Sequence, residues 1–60
     1  MFKLEFDTGN AAFDGDAKWM EIDAILRVVA DRAGDGQTAG TIRDSNGNRI
    51  GAWSLQDGGN

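Results

Sequence analysis

Ten carboxylates, four arginines and two lysines are the titratable side chains of this 60-residue chain. Histidine, cysteine and tyrosine are absent. Without histidine the commonest general base and the commonest transition-metal ligand are missing, and a serine triad of the usual form cannot be built. Without cysteine there is no thiol nucleophile, no disulfide and no thiolate zinc site. A carboxylate hydrolase is the one enzymatic design these residues leave. So short a chain does not readily enclose the ~300 Å³ that a substrate pocket needs. The expectation is a protein that is not an enzyme and carries no cofactor.

Four constellations carry a chemical reading beside a structural one. Asp44-Ser45-Asn46-Gly47-Asn48 opens like a calcium loop, D-x-N-x-N, but an EF-hand then requires Gly at its sixth position and Glu at its twelfth. Arg49 and Leu55 stand there, so the segment reads as a hairpin turn. Asp14-Gly15-Asp16, with Asp7 close in sequence, offers oxygen ligands to a divalent cation; a turn followed by a helix cap explains the same residues. Gly34-Asp35-Gly36 follows a helix, whereas a phosphate loop must precede one. The eight aspartates could imitate nucleic-acid phosphates on a basic groove, but a net charge of −4 is equally what solubility asks.

The same charge, with a pI near 4.3, argues against direct binding of nucleic acid or anionic membranes. No apolar run approaches the ~18 residues of a membrane span. The first residues alternate and carry acids, which does not suit a signal peptide. The expected compartment is the cytoplasm. A domain this small buries little of its surface, and nine glycines raise the entropy lost on folding. Homodimerisation or a partner is the expected remedy.

These groups must be positioned by few elements. Phe2, Leu4 and Phe6 alternate with Lys3, Glu5 and Asp7, the period of a half-buried strand. Residues 9–15 are a connector whose one bulky residue, Phe13, folds back onto the core. Asp16 is the candidate N-cap of a helix over 17–33 that ends at Gly34. Ile22, Ile25, Leu26, Val29 and Ala33 form its apolar stripe, flanked by Trp19 and Ala30. Asp23, Arg27 and Asp31 stand on the outer face, spaced for an ion-pair ladder, with Met20 and Ala24. Residues 38–55 read as a β-hairpin, and two registers remain open. A two-residue Asn46-Gly47 turn of type I′ pairs Ile42 with Gly51 and Gly40 with Trp53. A type I turn with Gly47 in a G1 bulge pairs Ile42 with Ile50, and Asp44 and Gly47 at the first and fourth turn positions favour it. Residues 56–60 are a polar tail.

The order β-α-β-β predicts an α+β fold, a single domain over 1–55. One helix packs on a three-stranded antiparallel sheet of order 1-3-2, whose second face is either polar enough for water or covered by a second copy. Of the two tryptophans, Trp19 sits at the edge of the stripe, and Trp53 faces either the core or a partner according to register. Both readings matter, since tryptophan dominates cores of small domains and interface hot spots alike.

Asn10-Ala11-Ala12-Phe13, the helix Ile22-Asp23-Ala24-Ile25-Leu26-Arg27-Val28-Val29-Ala30-Asp31-Arg32 and the segment Arg43-Asp44-Ser45-Asn46-Gly47-Asn48-Arg49-Ile50-Gly51 together resemble a group of short phage and prophage open reading frames. The resemblance spans residues 2–55. Such genes are similar in size and acidity to phage accessory proteins, among them anti-CRISPR and other anti-defence inhibitors. It implies a function class, a host protein or complex as partner, and no catalytic residue. The expected contact residues are Met20, Asp23, Arg27, Asp31 and Trp53, acting by steric or electrostatic occlusion. The alternatives are a homodimer binding a signalling nucleotide, with Arg43 and Arg49 on its phosphates, or a structural or assembly component.

Overall fold

The computed structural model describes residues 1–56. Strand β1 (Phe2–Phe6) leads through a single 3₁₀ turn (Ala11–Phe13) to helix α1 (Ala17–Gly34), then to β2 (Ala39–Arg43) and β3 (Arg49–Leu55). The sheet order is β1-β3-β2 and both pairings are antiparallel. The fold is therefore the α+β arrangement that the sequence predicts. Residues 57–60 of the expected tail lie outside the described residues. Gln56 prolongs the sheet, its N–H donating to Met1 O over 2.9 Å.

The hairpin combines features of both candidate registers. Gly47 N–H donates to Asp44 O over 3.0 Å, Asp44 N–H donates to Asn48 O over 2.9 Å, and Gly47 has φ +84°. This is the type I turn with a left-handed glycine. Arg43 then lies opposite Arg49, but Ile42 lies opposite Gly51, so Ile50 is an extra residue in β3. Without that bulge, Ile50, Ala52 and Ser54 would face the core and Trp53 and Leu55 would face away, because a one-residue slip exchanges sheet faces. With it, Ile50 packs against the core and Trp53 enters it.

Leu4, Trp53 and Gly40 form one cross-strand row, and Phe6, Gly51 and Ile42 the next. The two glycines make these rows workable. A Cβ on Gly40 would lie 2.5 Å from Trp53 Nε1. A Cβ on Gly51 would strike Glu5 O and come within 2.6 Å of Phe6 Cα. Phe13, Ile25, Val29, Ile42 and Trp53 are the buried core, with Leu4, Phe6, Ile22 and Ala33 around them. Phe2 stacks on Trp53 at 5.6 Å between ring centroids, and Phe6 on Phe13 at 6.2 Å. The opposite sheet face presents Lys3, Glu5, Ala52, Ser54, Ala39 and Thr41, small or polar residues that water can cover.

One buried polar group ties these elements together. Asp44 is 6% exposed. Its Oδ1 accepts the N–H groups of Asn46 and Asn48 at 2.9 Å each. Its Oδ2 accepts Asn10 Nδ2 at 2.7 Å and Asn48 Nδ2 at 3.3 Å. Asn10 also caps the 3₁₀ turn, its Oδ1 accepting Ala12 N–H at 2.9 Å. The helix joins the same assembly where Glu21 Oε2 accepts Ser45 N–H at 2.7 Å. Burial pushes the Asp44 carboxyl up, but the bonds from Asn48, Asn46 and Asn10 outweigh it and hold the group below the ordinary carboxylate range.

The helix ends differ from expectation. Asp16 makes no side-chain cap and is itself helical in φ and ψ. The chain enters α1 through a turn over 14–17, with Gly15 at φ +58°, Ala17 N–H on Asp14 O and Lys18 N–H on Gly15 O. Gly34 is the last helical residue, and the left-handed position falls on Gly36 at φ +88°. Gly36 N–H on Ala33 O and Gln37 N–H on Arg32 O form the paired bonds of a Schellman motif.

Two outcomes follow for stability. Gly51→Ala should destabilise by about 2–3 kcal/mol, because the obstacle is backbone. Gly34→Ala, with open space around it, should be neutral or stabilising by about 0.5 kcal/mol; urea unfolding of both variants checks the contrast. Because the Asp44 carboxyl is depressed in the folded state, its contribution is complete above its ordinary value near ~4 and is lost as pH falls through the folded value. Melting curves between neutral and acid pH should show that loss. Asp44→Ala should flatten the acid limb and lower the melting temperature at neutral pH by about 5–10 °C.

Candidate functional site

Helix α1 has more large apolar side chains than the small sheet can cover. Ile25 and Val29 are buried and Ile22 and Ala33 partly so, which fixes the side turned to the sheet. At ~100° per residue, Met20, Asp23, Arg27 and Asp31 lie roughly on the opposite side. The structure thus places these four predicted contact residues together on the outer face, all exposed. Met20 is 76% exposed.

Two residues enlarge this surface and one leaves it. Trp19 is 70% exposed and Leu26 45%. Both lie on the flank between the outer face and the buried stripe, so Leu26, Trp19, Asp23, Arg27 and Met20 form a continuous arc around the helix. Leu26 was expected inside; the sheet is too narrow to reach it. Trp53, expected among the contact residues, is 4% exposed and belongs to the core. The bulge at Ile50 decides this, by turning Trp53 to the helix side. The tryptophan available to a partner is Trp19, whose place at the stripe edge is the sequence signal for it.

The electrostatics of the arc are modest. Arg27 Nε donates to Asp23 Oδ2 at 2.9 Å, an exposed i,i+4 pair. The hydrogen bond from Asp23 and then its charge raise the Arg27 pKa above its ordinary value. Asp31 takes no part in an ion pair among the described residues, so the expected three-residue ladder is a single rung. Exposed pairs of this kind stabilise little and serve better to orient a partner's charges.

The two predicted anion contacts also come together. Arg43 and Arg49 are directly opposed on β2 and β3, and both are exposed. Arg43 Nη1 donates to Gly47 O at 3.0 Å, which turns one of the two cations back to its own loop.

In the D-x-N-x-N segment, the Asp44 carboxylate is engaged by the hairpin's own amides. Among the described residues no three carboxylates gather as a metal site would require, and no helix is long and apolar enough to cross a membrane. No family model, curated protein or solved structure matches the chain.

Proposed function

We propose that this chain is a small acidic interaction protein that binds a protein partner through the outer face of α1 and acts by occluding that partner's working surface. One observation carries the reading. Trp19, Met20 and Leu26 stand exposed along one arc of the helix, in a domain whose core holds five buried hydrophobic side chains among the described residues. Single exposed apolar residues are ordinary, but several on one arc of a helix, a tryptophan among them, are what interfaces use. Asp23, Arg27 and Asp31 frame the set with charges that can select a partner. The acidity and size accord with a phage or mobile-element accessory protein acting in the host cytoplasm against a defence or nucleic-acid-handling protein. The resemblance to short phage and prophage reading frames supports that setting.

The opposed Arg43–Arg49 pair favours a second reading, a homodimer that binds an anionic ligand such as a signalling nucleotide. Like charges facing across a ladder are unfavourable unless an anion bridges them.

A tagged capture from a bacterial host lysate, read by mass spectrometry, should recover a stoichiometric protein. Met20→Glu or the Asp23→Lys/Arg27→Glu pair should weaken its binding about tenfold or more without changing the fold. Equal capture by these variants would remove the outer face from the mechanism. The second reading instead expects millimolar phosphate or nucleotide to raise the melting temperature, an effect abolished by Arg49→Ala; no shift would exclude it.

A further inference from the structure

A different surface carries a second kind of recognition. Helix α1 sits beside β2, and β2 is an edge of the sheet. Between them runs a groove of about 550 Å³. Its helix wall is Ala24, Val28 and Arg32; its floor is Ile42, Gly40 and Trp53.

The open side of β2 is a backbone template. Thr38 O accepts Leu55 N–H at 2.7 Å, and Asp44 N–H reaches Asn48 O. These two bonds set the alternation of an antiparallel pair: Thr38, Gly40, Ile42 and Asp44 turn their polar groups to β3. The N–H and C=O groups of Ala39, Thr41 and Arg43 therefore point outward. Edge strands in this condition accept a further strand, and alternate side chains of that strand would drop into the groove beneath the helix.

The groove also limits what such a strand can be. Trp53 is 4% exposed, and Gly40 leaves only the Nε1 edge of its indole open toward the groove, because a side chain there would meet Nε1. None of the hydrogen bonds among the described residues uses that N–H. The apolar surface open to an incoming side chain is that of Val28, 53% exposed, above the buried Ile42 and Trp53. At one end Arg32 supplies a positive charge with no ion-pair partner among the described residues. At the other end the Glu21 carboxylate is held by Ser45 N–H. A second copy of the chain suits this poorly. Its own β2 would bring Gly40 and Ile42 to the groove, and the acid that follows them on that face, Asp44, is buried and held by its own hairpin.

We infer that the groove between α1 and the β2 edge binds an extended peptide segment of a partner protein, added as a fourth strand. That segment is apolar at alternate positions and acidic at the end beside Arg32. This inference does not rest on the outer-face reading, since the groove lies on the flank of α1 away from Trp19.

The test is selection of random short peptides displayed on phage against the immobilised full chain, followed by amide NMR with the enriched peptides. Enriched peptides should alternate apolar residues, carry Asp or Glu at one end, and shift the amides of Ala39, Thr41 and Arg43 with the Trp53 indole. Val28→Glu, at an exposed position, should weaken them about tenfold or more, and Arg32→Glu should invert the charge preference. Methylating alternate peptide nitrogens should abolish binding with no change to the protein. Trp19→Gln, on the opposite flank, should leave peptide affinity unchanged. The inference is overturned if no peptide is enriched, or if enriched peptides bind equally well to Val28→Glu or after N-methylation.

Discussion

The carboxylate of Asp44 joins two segments that the chain separates by more than thirty residues. It closes the hairpin through Asn46 and Asn48 and holds the connector through Asn10. Asn10 in turn caps the 3₁₀ turn that delivers Phe13 to the core. A buried anion is costly when unpaired, so this position is stable only with all of its partners in place. These bonds tie the hairpin tip to the connector, and the Glu21–Ser45 bond ties it to the first turns of the helix. They also explain how so small a core can define one arrangement: among the described residues, no buried side-chain nitrogen or oxygen lacks a partner.

The bulge at Ile50 is the second constraint, and it acts on the side chains. The Asp44 turn by itself would put Trp53 on the open face of the sheet. One added residue returns Trp53 to the helix side, over Gly40 and under Phe2. The open face is left with small and polar residues, which weakens the case for covering it with a second copy. The apolar surplus of the chain falls instead on α1, around the outer face and both flanks. A narrow three-stranded sheet can bury only one stripe of an 18-residue helix, so surface that does not serve folding is available for recognition.

Element order, the body of the helix and strand order were legible because each rests on a sequence pattern: alternation at 2–6, the Ile22–Ile25–Val29–Ala33 stripe, and a hairpin that makes the last strand central. The outer-face residues Met20, Asp23, Arg27 and Asp31 followed from the same periodicity. The failures occur where two local rules meet. Turn chemistry and strand register pointed to different hairpins, and the structure satisfies both with an extra residue. The spacing of Ile50, Trp53 and Leu55, three and then two, carried that information: a regular strand cannot turn all three to one face, whereas a bulged one can. Asp16 looked like a cap by type, but Gly15 in a left-handed turn supplied the helix entry without it. Leu26 fell on the apolar stripe, yet the width of the sheet, a tertiary property, left it outside. The groove beside β2 has no sequence signature, because it arises from where the helix rests on the sheet.

The central claim is that the exposed apolar residues of α1 are surplus to the fold. It is tested most directly by urea unfolding of the triple variant Trp19→Gln/Met20→Gln/Val28→Gln, with amide NMR of the hairpin. The account predicts a cooperative transition within about 1 kcal/mol of the parent, with the Asp44, Asn46 and Asn48 resonances unmoved. Loss of cooperative unfolding, or collapse of those resonances, would show that the helix surface belongs to the fold and would contradict the account.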